Sequence, residues 1–207
     1  RQLVDKGIQT VLYAKALQKI ESARTKTGAG NTDDNSGAPH AVDEAAALYL
    51  GTANEEGIRA FSLSATARGR EGNFGLEGKL DVPLQIEFAS LQRAARDGDL
   101  AAFEAAEAKV RGNLNAIFYL ATLGYTKSTL DASIAERPIP MSEGWAFYQA
   151  IRGSVAQASP QTADRINELF SGTSESVPGS IVSEVYEGLN DPPVFQALGI
   201  PPHLQVN

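Results

Sequence analysis

The residues best suited to chemistry stand together in Pro39-His40-Ala41-Val42-Asp43-Glu44. His40, Asp43 and Glu44 are spaced so that, on a helix, their side chains share one face. An imidazole with two carboxylates on one face is a half-site for a hard or borderline metal ion. Acidic residues in a first helical turn also offset the helix dipole and cap free N–H groups. The spacing alone leaves both uses open, and it does not choose between Asp43 and Glu44 as the ligand.

A second stretch, Met141-Ser142-Glu143-Gly144-Trp145-Ala146-Phe147-Tyr148, echoes the first. Glu44 aligns with Glu143, Ala47 with Ala146, Leu48 with Phe147 and Tyr49 with Tyr148. The second copy has no histidine and carries Ser142 where the first has Asp43. Two pseudo-equivalent carboxylates facing each other across a bundle would share an ion asymmetrically, with His40, Asp43, Glu44 and Glu143 as ligands. Tyr13 and Tyr119, on the preceding helices, are further candidates, because phenolate suits ferric ion. Tyr49 and Tyr148 are turned about 140° away from their glutamates. They are expected to pack, with their hydroxyls at the rim. Glu104 and Glu107, one turn before Arg111, read as a solvated face with a Glu107–Arg111 bridge.

The elements that must position these residues are helices. Apolar spacing predicts helices over 2–23, from Pro39 to about Ala53, over 82–96, from Leu100 to Leu123 with Gly124 as the stop, and over 142–157, 162–170 and 180–189. The segment 25–37 is polar and glycine-rich, so it reads as a loop. The segment 68–78, with four glycines, reads as a surface loop or lid, and 58–67 is undecided between helix and extended chain. No alternating stretch supports a sheet. The expected fold is all-α: an antiparallel helical bundle, one domain over 1–207. Ile8–Tyr13 parallels Leu114–Tyr119, which extends the echo to a pseudo-repeat of about 1–57 with about 107–157.

Composition narrows the function. The net charge is −7 over 207 residues, which argues against a nucleic-acid or anionic-membrane surface. Without cysteine there can be no disulfide, thiolate zinc site, iron–sulfur cluster or cysteine nucleophile. No nucleophile elbow, phosphate loop or His-Glu-x-x-His motif is present, so the chain is expected not to be an enzyme. It begins at Arg1 rather than Met, as a processed product or a trimmed chain would.

On His40-Ala-Val-Asp43-Glu44-Ala-Ala-Ala-Leu-Tyr49-Leu-Gly51, and on Glu143-Gly-Trp145-Ala-Phe147-Tyr148, the chain resembles the algal iron-assimilating proteins, also called high-CO2-inducible periplasmic proteins. More distantly it is similar to imelysin-like helical bundles, which carry His-x-x-Glu where this chain reads His40-x-x-Asp43 followed by Glu44. The resemblance implies a secreted, periplasmic or cell-surface protein that captures iron for uptake, and it does not imply an enzyme; the carboxylate, imidazole and tyrosine donors suit ferric iron, and a cell-surface uptake partner is expected. Arg68 and Arg70 could hold a synergistic anion such as carbonate. The first rival reading is a helical interaction or scaffold module in which these acids only cap helices; the second is an enzyme that uses the same metal.

Overall fold

The computed structural model describes residues 2–53, 55 and 62–206, except the side chains of residues 2, 3 and 5. Among the described residues there are nine α-helices, two 3-10 turns and no strand. The helices are α1 (Gln2–Gly28), α2 (Ala38–Leu50), α3 (Leu63–Phe74), α4 (Asp81–Asp97), α5 (Leu100–Asp131), α6 (Pro138–Ala158), α7 (Pro160–Ser171), α8 (Ile181–Asn190) and α9 (Pro192–Leu198). The all-α expectation holds. The undecided segment 58–67 falls partly outside the described residues.

Contacts divide the chain into two compact units. One is formed by residues 11–114, the other by residues 1–10 with 115–207. In the 11–114 unit, α2 packs on α4 and α3. Its buried side chains Ala38, Ala41, Val42, Ala45 and Tyr49 recur at helical spacing, and the Tyr49 ring stacks on Phe88 with centroids 5.6 Å apart. In the other unit α6 packs on α7 and α9, and α7 on α8. There Phe147 stacks on Tyr125 at 5.6 Å and leans on Phe118 at 5.8 Å.

Several segments depart from expectation. α1 runs past residue 23 to Gly28, and the hydroxyls of Thr25 and Thr27 donate back to Glu21 and Ala23 carbonyls within it. α5 does not stop at Gly124 but continues to Asp131, where Thr126 and Thr129 are buried and donate to Thr122 and Tyr125 carbonyls. Most of the expected lid over 68–78 is helix α3. Each internal glycine costs a helix about 1 kcal/mol relative to alanine. Here Leu63, Ala67 and Glu71 are buried along one face, and Ser62 caps the start by accepting from the Ala65 N–H. Burial outweighs propensity.

α2 ends where Gly51 adopts φ +68. The Ser62 Cβ lies 2.7 Å from where a side chain at position 51 would begin, so only glycine fits there. α6 begins at Pro138, earlier than expected, because proline is tolerated in a first turn whose N–H groups have no helical partner.

Candidate metal centre

The buried stripe of α2 leaves His40 and Asp43 exposed and Glu44 half-buried. The Nε2 of His40 lies 3.9 Å from Oε2 of Glu44, and the same oxygen accepts from Lys19 Nζ of α1 at 2.8 Å. This lysine, and more weakly the His40 imidazole, hold the Glu44 carboxyl below the usual carboxylate range. Asp43 goes elsewhere. Its Oδ1 accepts from Gln92 Nε2 of α4 at 2.9 Å. Successive helical residues turn by about 100°, so adjacent carboxylates on α2 reach different neighbours. The structure therefore joins His40 with Glu44 and commits Asp43 to α4.

Glu143 lies in the other unit and is buried. Its Oε1 is 3.6 Å from Lys6 Nζ, and that ammonium also sits 5.9 Å over the Phe147 ring. Each of the two aligned glutamates thus faces a lysine of α1. Composition and motif spacing gave no sign of Lys6 or Lys19, because a helix-surface lysine looks the same in sequence whatever it faces.

The tyrosines are more deeply placed than expected. Burial pushes the Tyr13 phenol up to about 12, partly opposed by Arg111. Burial does the same for Tyr119. The Tyr119 hydroxyl donates to Asn190 Oδ1 at 2.8 Å and accepts from the Val206 N–H at 3.0 Å, so it fastens the C-terminal tail. Tyr49 and Tyr148 do not place their hydroxyls at a rim. Both are fully buried, Tyr49 donating to Asp81 and Tyr148 to the Ala163 carbonyl at 3.0 Å. Packing on both sides of these rings left no path to solvent, so the hydroxyls had to find internal acceptors.

These shifts have a measurable consequence. A folded-state phenol pKa above the unfolded value of about 10 stabilises the fold fully below pH ~10 and is lost as pH rises through the folded value. At pH 11 the Tyr13 and Tyr119 phenols are expected to remain largely protonated. Their ionisation should coincide with loss of helical circular dichroism. Tyrosinate absorbance, compared with Tyr13→Phe and Tyr119→Phe, checks this; reversible ionisation of either near pH 10 in the folded protein would contradict it.

Sequence reasoning missed a buried carboxylate network in the 11–114 unit. Asp81, at the start of α4, accepts from the Tyr49 hydroxyl, from Ser64 Oγ at 2.8 Å, from Arg68 Nη1 at 3.2 Å and from Gln85 Nε2 at 3.0 Å. Glu71 Oε1 accepts from the backbone N–H groups of Leu80 and Asp81, capping α4 from α3. Arg68, a candidate anion holder, is thereby engaged by a carboxylate of its own unit. The expected Glu107–Arg111 bridge forms at 2.6 Å, but that face is not fully solvated. Glu107 is buried, with Arg24 of α1 3.7 Å away.

Among the described residues no three His, Asp or Glu side chains gather as one ion would require, and no helix is long and apolar enough to cross a membrane. What the fold does define is an all-helical protein with a His–Glu pair, exposed at His40 and half-buried at Glu44, on the first turns of α2. The profile of the low iron-inducible periplasmic proteins, Fea1, matches residues 4–138. The chain belongs to that family, whose name ties it to the periplasm and to low iron. The matched span contains His40, Asp43, Glu44, Tyr13 and Tyr119; Glu143 lies beyond it. No curated protein and no solved structure gives a significant match.

Proposed function

We propose that this chain binds ferric iron outside the cytoplasm for delivery to a cell-surface uptake partner, as a binding protein rather than an enzyme. The observation that carries this reading is the pair of exposed His40 and half-buried Glu44, 3.9 Å apart, in a chain of a family named for low iron. Imidazole nitrogen with carboxylate oxygen is a donor pair that iron accepts. A rotation of Asp43 away from Gln92 would add a third protein donor, and a small anion such as carbonate would complete the shell. Tyr13, in the same unit, would have to lose both burial and proton to join them; Glu143 and Tyr119 belong to the other unit.

Lys19 occupies the position of a competing cation on Glu44, so an incoming ion must displace its ammonium. Titration of the purified protein with a ferric chelate is expected to load about one iron per chain. His40→Ala with Glu44→Ala should abolish loading while helicity is retained. Lys19→Met should tighten it about tenfold, the effect of removing one charge-assisted hydrogen bond from the competing state. Equal loading in the folded double variant would refute the site. Loading absent from wild type and Lys19→Met alike would leave Glu44 a structural partner of Lys19, as in the interaction-module reading.

A further inference from the structure

The unit formed by residues 1–10 and 115–207 holds a cavity of about 390 Å³ that the iron reading does not use. Pro138, Met141, Ser142 and Trp145 line it along one face of α6. Phe170 at the end of α7 and the turn Gly172–Ser174 close the other side. The volume falls within the range of small-molecule sites and equals that of about a dozen waters. Such waters would find few partners. The indole N–H of Trp145 is already given to Asn167 Oδ1 at 3.1 Å, and Ser142 Oγ donates to the Ile139 carbonyl at 2.8 Å. An apolar body that displaced those waters would gain the burial and lose few hydrogen bonds.

A charge is bonded to the backbone of the lining. Arg137 precedes the first lining residue and donates through Nη1 to the carbonyl of Ser174, itself a lining residue, at 3.1 Å. Its Nε donates to the Ala132 carbonyl at 3.3 Å. Both acceptors are neutral, and among the described residues no carboxylate lies within 4.0 Å of this guanidinium. Glu175, in the same turn, is exposed, and the backbone N–H and the Thr173 and Ser174 hydroxyls beside it keep its carboxyl below the usual carboxylate range. A half-buried guanidinium bonded only to carbonyls, beside an apolar cavity, is complementary to one kind of occupant.

We infer that the Trp145 cavity binds a small amphipathic anion, an aromatic or alkyl body seated against Trp145, Met141 and Phe170 with its acidic head on Arg137. This inference stands independently of the iron site. Trp145 is the sole tryptophan, so its fluorescence reports this cavity alone. The probe is 1-anilinonaphthalene-8-sulfonate, with N-phenyl-1-naphthylamine as its uncharged counterpart. In the folded wild type the sulfonate is expected to quench Trp145 saturably, at one molecule per chain. It should bind at least about tenfold tighter than the amine, the worth of a charge-assisted hydrogen bond. Ser142→Phe, and separately Thr173→Phe, should abolish binding of both probes. Arg137→Gln should erase the preference for the sulfonate, and Arg137→Lys should restore much of it. Helicity and melting temperature establish that each variant is folded. Non-saturable quenching, or binding undiminished in a folded filled-cavity variant, would overturn the site. Equal affinity of wild type for both probes would overturn the anionic occupant.

Discussion

Asp81→Ala is expected to lower the stability of the 11–114 unit by about 3 kcal/mol, a large part of the roughly 5–15 kcal/mol that holds a typical domain folded. Asp81 is 4% exposed, and four side chains donate to it. Removing the carboxylate leaves the Tyr49 hydroxyl, wholly buried, without its acceptor. An unsatisfied buried donor costs about 1–3 kcal/mol. Arg68 contributes less, because its side chain is half exposed and water can solvate the released charge. Asp81→Asn keeps one acceptor for Tyr49 but sets an amide N–H against Arg68, so it should cost about half as much. Tyr49→Phe leaves the carboxylate three donors and should cost about 1 kcal/mol. Urea unfolding followed by circular dichroism would give the order Ala, then Asn, then Phe. A loss below about 1 kcal/mol for Asp81→Ala would show that the network is hydrated and not structural.

The second large effect is expected at Gly144. A Cβ there would overlap the Phe170 ring, whose Cζ and Cδ1 lie 2.9 and 3.0 Å from its position. In an open helix, glycine to alanine gains about 1 kcal/mol. Here overpacking costs about 1–3 kcal/mol, because the buried Phe170 ring must shift to relieve the overlap. Gly144→Ala should therefore destabilise by about 1–2 kcal/mol. The sign should reverse when Phe170 is first cut to alanine, because helix propensity then acts alone. This double-mutant cycle isolates the contact. A Gly144→Ala variant as stable as wild type would mean that α6 and α7 slide apart readily, which would also reshape the cavity beneath Trp145.

Helices came through in the sequence because apolar spacing is a local signal. The α2 stripe from Ala38 to Tyr49 reads directly as a buried face, and Pro39 and Gly51 mark its ends. The stops that failed, at residue 23, at Gly124 and across 68–78, failed for one reason. Propensity charges each glycine or threonine a small local cost, while burial of Glu71, Thr126 and Thr129 is decided by partners far along the chain.

Composition and helical spacing are enough to read an acidic, cysteine-free, all-helical chain with His40, Asp43 and Glu44 on one helix, and the family resemblance rests in part on the stretch that holds them. What each of them touches is set by packing between helices. Helical periodicity puts Asp43 and Glu44 side by side, yet the packing of α1 and α4 gives Glu44 to Lys19 and Asp43 to Gln92. It also turned Tyr49 from a rim residue into the donor of a buried Asp81 network, whose members are spread from residue 49 to residue 85. Spacing in one helix is set by backbone geometry, but the partners of a side chain are set by which other helix the hydrophobic effect presses against it.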